Sequence, residues 1–332
     1  MALRIAFSGF VVLVVAMGIG RFAFTPQVPL MMTAGQLTLT SAGLVAAMNY
    51  LGYLVGAWDA MRAHRFVETR LWLGIFGAVA LTLLSAAADN AIVHGLLRFA
   101  IGCMSGWSMV LIAAWTNERL GQLGKPGLSA AVFAGPGAGI ALSGLLAVCI
   151  QAKSLSAGAA WQIYGVLALV LVALVARYLP RAGQLHRPGT APEPLVLTTN
   201  LKRLVWSYSL AGFGYILPAT FLSQMAAVRF PGSLFAQFVW PIFGVASVVG
   251  IALSIVLRHT STSNRRLAIV LWLQGTGVLA AWLLPGIGGL LIGGLLVGGG
   301  FLCAVQLSLL YGRELAPNHT RYMAGLLTTG YA

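Results

Sequence analysis

Two arginines stand where a permanent charge is expensive. Arg21 interrupts the apolar stretch MGIGRFAFTPQVPLMM, residues 17–32, and Arg98 lies inside the apolar run that begins near Ala91. A guanidinium stays protonated, and one held at mid-bilayer costs about 2.5–3.5 kcal/mol even on the lenient insertion scale. The chain has only 6 Asp and Glu with which to neutralise it. Asp59, Glu68, Glu118 and Glu314 fall at span ends or in short connections, Asp89 at the edge of the third span and Glu193 in a long polar stretch. No carboxylate lies mid-membrane beside either arginine. A cavity holding them is therefore electropositive and favours a substrate with a carboxylate or another anionic group. The competing reading is that each arginine bonds backbone carbonyls freed by Pro26, Pro29 and the nearby glycines, which ties helices together.

Helical spacing decides what shares a face with each arginine. His94, Arg98, Gly102 and Ser105 follow one another at i, i+4, i+8 and i+11, and Arg21 shares a face with Gly18 and Thr25. Counted from the same membrane surface, Arg98 lies roughly 10 Å deep and Arg21 roughly 16 Å at 1.5 Å per residue. His94 is the candidate for a proton-linked role, since an imidazole titrates near neutrality. Tyr215 and Gln306 are candidate substrate contacts, and Asn49 and Gln274 are weaker ones. Buried amides of this kind more often bond helix to helix. Trp107 and Trp240 offer rings for stacking, with packing as the default role.

The elements that position these residues are membrane helices. The 332 residues are 59% hydrophobic and 8% charged, against about 25% charged in a soluble domain, and the mean hydropathy is +0.90. Apolar runs near 5–32, 41–58, 70–88, 91–115, 128–150, 159–179, 204–225, 233–257, 266–284 and 286–311 each match a bilayer crossing. An eleventh begins at Tyr322 and stops at Ala332. The three cysteines, Cys103, Cys149 and Cys303, lie in apolar runs and fit neither a disulfide framework nor a metal site.

The net charge of +14 does not indicate nucleic acid, because the basic residues sit between apolar runs. With the N-terminus in the cytoplasm, all but Lys153, Arg229 and the two intramembrane arginines of the 20 Lys and Arg fall on the inner side. That asymmetry satisfies the positive-inside rule. The expected partners are a lipid bilayer, a small-molecule substrate and, for transport driven by a gradient, a coupling ion such as a proton, with no nucleic acid and no cofactor. The expected location is a bacterial inner membrane.

The polar segment RYLPRAGQLHRPGTAPEPLVLTTNLKR, residues 177–203, reads as a cytoplasmic linker. Features recur across it. Gly18 and Gly20 answer Gly212 and Gly214 at an offset of 194, as Gly56 answers Gly250, while Gly102 and Glu118 answer Gly298 and Glu314 at 196. The organisation expected is an N-terminal six-helix half over 1–179, a linker over 180–203 and a C-terminal half over 204–332. Two such halves make twelve spans, so a truncated sequence is expected here rather than a natural ten-span protein. Halves of this type rock about a site at the membrane midplane.

The local patterns are similar to those of a known family. Arg98-Phe-Ala-Ile-Gly102-Cys-Met-Ser-Gly106 resembles the arginine-plus-glycines motif of the major facilitator superfamily. Gly135-Pro136-Gly137-Ala138-Gly139 resembles the Gly-Pro motif of its antiporters. Gly56-Ala-Trp-Asp59-Ala-Met-Arg62-Ala-His64-Arg65 resembles its loop signature, with the Gly-to-Asp spacing one residue shorter. GIGRFAFTP (18–26) and AAMNYLGYLVGA (46–57) resemble the YbfB/YjiJ-type branch. The resemblance implies an all-α polytopic membrane protein with a 6+6 helix bundle, here ten full spans and a truncated eleventh. It further implies that spans 1, 4, 7 and 10 line a central cavity within reach of both arginines.

A secondary active transporter working by alternating access is the leading function. No phosphate-binding G-x-x-x-x-G-K-[ST] loop occurs, so ATP-driven transport by this chain is unsupported. A membrane-embedded enzyme would need a carboxylate pair, a metal cluster or a nucleophile with its base, and none is apparent, so the protein is not read as an enzyme. A membrane sensor or scaffold would be favoured by a large extramembrane domain, which the spans leave no room for. The small-xxx-small pairs Gly52/Gly56 and Gly102/Gly106 let helices approach closely, and Pro136 among Gly135, Gly137 and Gly139 should bend span 5.

Overall fold

Backbone amides inside hydrocarbon have no water to bond, so each apolar run must satisfy its own N–H and C=O groups as a helix. A computed structural model describes residues 1–185 and 195–331. His186, Arg187 and Glu193, from the middle of the 180–203 linker, lie outside the described residues. Ten helices are long and apolar enough to cross a membrane: α1 (Ala2–Thr33), α2 (Leu39–Arg62), α3 (Val67–Ala87), α4 (Ala91–Gln122), α5 (Gly127–Ala152), α6 (Ala157–Tyr178), α7 (Thr199–Arg229), α8 (Leu234–His259), α9 (Ser263–Leu283) and α10 (Gly286–Leu315). A shorter helix, α11 (Thr320–Tyr331), follows. No strand occurs among the described residues.

Helix starts carry side-chain caps that satisfy the first free amides. Thr38 and Ser41 form a reciprocal capping box at α2, Asn90 accepts from Ile92 and Val93 at α4, and Ser156, Thr198 and Ser233 cap α6, α7 and α8. Several helices overrun the apolar runs. α4 continues to Gln122 and α10 to Leu315, because Asn117, Glu118 and Arg119 propagate a helix as readily as apolar residues once it emerges into a polar environment.

α1 is not a uniform α-helix. It runs as α-helix over Ala2–Leu13, as π-helix over Val14–Arg21, and resumes as α-helix over Phe24–Thr33. The Phe22 amide reaches back five residues to the Met17 carbonyl at 2.9 Å. α5 is likewise divided, into Gly127–Val132 and Gly135–Ala152, with Pro136 in the first turn of the second piece. Proline fits there because its missing N–H falls among the unpaired amides of a helix start.

Glycines set the tightest approaches. A Cβ on Gly52 or Gly56 of α2 would meet the Phe99 or Cys103 carbonyl of α4, and one on Gly102 or Gly106 of α4 would meet α2 backbone at Asn49 and at Tyr53 and Ala57. The same geometry recurs between α8 and α10, where Gly250 faces the Gly299 carbonyl and Gly298 the Phe243 carbonyl. Gly139 of α5 lies against Gly18 in the π-helical part of α1, and Gly135 lies against the Phe10 carbonyl. α5 also packs on α8, with Gly144 against Pro241 and Gly244 against Ala141.

These contacts predict that Gly52→Val destabilises the detergent-purified protein by at least about 1–3 kcal/mol, the range for overpacking. Gly121→Ala, at a site with nothing within 4 Å of the added carbon, should leave the melting temperature unchanged or slightly raised. Thermal melts of the two variants check the pair.

Candidate functional site

Arg21 ends the π-helical segment, and the widened turns there carry its side chain inward. It is 6% exposed. Its guanidinium lies 3.8 Å from the centroid of the Tyr53 ring and 4.7 Å from that of Tyr50, both on α2. Its Nε has no hydrogen-bond acceptor. A desolvated cation–π contact contributes about 2 kcal/mol, so the two rings offset much of the insertion cost while leaving hydrogen-bonding capacity unused.

Arg21 lines a small central cavity with Phe22, Tyr53, Tyr208, Tyr215, Phe301 and Tyr331, together with Met17, Met109, Pro136, Leu302, Val305 and Thr328. No carboxylate is among these lining residues. The cavity measures about 20 Å³, which admits roughly one water molecule. The rings have closed on one another: Tyr215 stacks on Phe301 with centroids 4.3 Å apart, and Tyr208 on Tyr331 at 4.5 Å. The hydroxyls of Tyr215 and Tyr331 are buried without a partner.

Arg98 is placed differently. It is fully buried and is not among the residues lining that cavity. Its Nη1 donates to the Gly20 carbonyl at 2.9 Å and its Nη2 to the Ser85 hydroxyl at 3.0 Å. The guanidinium also lies 4.5 Å from the Trp161 ring centroid. Hydrogen bonds from a charged donor contribute about 1.5–3 kcal/mol each, enough with the ring to exceed the lenient insertion cost. Arg98 thus clamps the peptide immediately before Arg21 and joins α1, α3, α4 and α6. A second clamp lies one turn further on, where the Ser105 hydroxyl donates to the Ala16 carbonyl at 2.7 Å.

The remaining candidates are dispersed. His94 is fully buried, and neither ring nitrogen has a partner. Gln306 accepts from the Ser254 hydroxyl at 3.0 Å, linking α10 to α8 outside the cavity lining. Asn49 donates to the Arg98 carbonyl at 2.8 Å and Gln274 to the Ala211 carbonyl at 3.3 Å. Trp107 donates to Asp59 at 2.7 Å, and Asp59 also receives Arg70 at 2.6 Å. Trp240 borders a separate cleft of about 240 Å³ between the ends of α1, α5, α7 and α8, with Pro26, Pro29, Gln151 and Ser223.

A family model described as uncharacterised MFS-type transporter YbfB matches residues 13–332. The chain belongs to that family of MFS transporters. This membership makes it a multi-pass membrane protein that carries a small-molecule substrate. Among solved structures it is similar to FucP, a Major Facilitator Superfamily transporter captured in its outward conformation. The TM-score is 0.62 at 16% identity, covering 98% of this chain and 87% of that one, and the likeness shows the fold alone. No curated protein matches the chain.

In this MFS transporter the sequence pointed to Arg21 and Tyr215 but passed over Tyr53, Tyr208, Phe301 and Tyr331. Tyr208 and Tyr215 are seven residues apart on α7 and therefore share a face, a signal that was readable. That the Phe301 ring would come to meet theirs was not.

The Arg98 geometry predicts that Arg98→Met lowers the melting temperature of the substrate-free protein by more than Ser85→Ala, whose loss should be near 1 kcal/mol. The double variant should lose less than the sum, because the two changes remove one shared bond. Fully additive losses would sink the pairing.

Proposed function

We propose that this MFS transporter moves a small organic anion by alternating access, with Arg21 meeting the anion's charge and Tyr215 donating beside it. The observation that carries the reading is a cavity-lining arginine, free at Nε, in a lining without a carboxylate. A cationic substrate would face a fixed positive charge there, and a zwitterion would find no carboxylate for its ammonium group. In this reading Arg98 and Gln306 act behind the lining, the first by holding the Gly20 peptide and the second by joining α10 to α8.

The moving parts are two halves, 1–179 and 204–332, joined by the 180–203 linker. Supporting this division, the α2–α4 approach at Gly56 and Gly102 has its counterpart at Gly250 and Gly298 between α8 and α10. The two halves meet along α5–α8 and where Gly325 of α11 lies against Met61 of α2. A site with room for about one water admits substrate only when these surfaces slide. The distribution of Lys and Arg supports a cytoplasmic N-terminus in a bacterial inner membrane.

Uptake of a panel of labelled compounds into proteoliposomes tests the reading. Arg21→Gln is expected to lower uptake of the transported anion at least about thirtyfold, the effect of leaving a buried charge unpaired, while Arg21→Lys retains part of it. Uptake of a cationic compound that no anion inhibits would overturn it.

Proton coupling, if the transport is coupled, is assigned to His94. His94→Gln should then flatten any difference in uptake between an acidic and a neutral external pH. A pH dependence that survives the substitution removes His94 from the coupling.

A further inference from the structure

The lining of the Arg21 cavity contains more than a charge. Six aromatic rings surround it: Phe22, Tyr53, Tyr208, Tyr215, Phe301 and Tyr331. They meet largely face to face, Tyr215 on Phe301 with planes 13° apart and Tyr208 on Tyr331 with planes 27° apart. Phe22 closes one side, edge-on to Phe301 at 5.7 Å. Against these apolar faces the polar inventory is short. It consists of Arg21, the hydroxyls of Tyr53, Tyr208, Tyr215 and Tyr331, the last two without a partner, and Thr328 on the α11 wall.

That inventory discriminates among anions. A sugar acid or other polyol would bring more hydroxyls than these few groups can pair, and each one left buried and unpaired carries its full desolvation penalty. An aliphatic acid would bury its chain yet could not restore the ring–ring contacts it separates. A flat ring inserted between Tyr215 and Phe301 replaces one stacked pair with two, and stacked or edge-on aromatic pairs gain beyond the area they bury. The Arg21 guanidinium, 3.8 Å from the Tyr53 ring centroid, has an unpaired Nε–H to offer a single carboxylate at the edge of such a ring.

We infer that the substrate is a planar aromatic carboxylate, which takes the place of the Tyr215–Phe301 stack when the cavity opens. This inference rests on the anion reading of Arg21 and adds the shape and chemistry of the remainder of the molecule. Separation of the stacked rings is the work that a ring-bearing ligand compensates and a saturated one does not.

The test is equilibrium binding to the purified full chain in nanodiscs, by calorimetry, with matched probes. Benzoate and phenylacetate are compared with cyclohexanecarboxylate and cyclohexylacetate, and with the neutral ring benzamide. Each aromatic acid is expected to bind about two- to twelvefold more tightly than its saturated counterpart, the ratio that one added aromatic contact supplies. Phe301→Leu should abolish that ratio while leaving the saturated acids unchanged, and Tyr215→Phe, which keeps the ring, should preserve it. Equal binding of aromatic and saturated acids would overturn the inference and leave the anion reading standing. Benzamide binding as tightly as benzoate would overturn the anion reading itself. Absence of binding by every probe at millimolar concentration would overturn both.

Discussion

The arrangement of α1 depends on a guanidinium that cannot give up its charge inside a low-dielectric bundle. Arg98 has no carboxylate among its contacts. It is accommodated because the π-helical turn of α1 leaves the Gly20 carbonyl available, because Ser85 supplies a hydroxyl, and because Trp161 offers a ring face. Each of these groups belongs to a different helix, so satisfying one charge fixes α1, α3 and α6 around α4. The dependence is mutual. A regular α-helix through Gly20 would engage that carbonyl within its own ladder, and Arg98 would then have to share its closest acceptor with a backbone amide.

The π-helix in turn requires its neighbours to be small. Gly18 and Gly139 meet backbone to backbone, so the widened turn fits against α5 only without side chains at either position. Because the carbonyl before Arg21 is held from behind by Arg98, the Arg21 side chain is directed to the other face of α1, onto Tyr53 and the central cavity. The two arginines are therefore one device with two ends. Arg98 spends both Nη groups on protein acceptors and anchors, its Nε alone lacking a partner, whereas Arg21 lies on rings at the cavity wall with its Nε unpaired. π-Helical departures from α-helix recur at functional sites, mostly as single turns, and this one is longer, at eight residues.

The ten crossing helices were legible in the sequence because hydropathy and the interspersed charges report bilayer crossings directly. The glycine pairs were legible too, and the offset linking Gly56 with Gly250 corresponds to one pattern of close helix approach in two places. The π-helix was not readable, since the residues Val14–Arg21 are equally compatible with α-helix and the choice depends on α4 and α5 packing against them. Nor was the division of labour between Arg21 and Arg98, which share a depth and a charge. It turns on a single carbonyl whose availability is a tertiary property. The aromatic lining was half-hidden for a related reason: a tyrosine in an apolar run suits lipid, core or cavity alike, and only the juxtaposition of α2, α7, α10 and α11 separates them.

Packing density then separates what is rigid from what moves. Where α2 meets α4 and α8 meets α10, carbonyls sit in the places that glycine side chains would occupy, and such surfaces have little freedom to slide without losing contact. The centre is held instead by stacked rings around a space of about 20 Å³. Stacked rings are individually weak, tolerate offset, and re-form against any other flat surface. A transporter needs that contrast, because a substrate can shift a conformational equilibrium only by as much as it binds one state better than the other. In the proposed cycle the rings contribute a modest closing tendency and the glycine seams carry the motion as rigid units. Arg21 then supplies the difference in affinity, since its unpaired Nε gains an anion only in the open state.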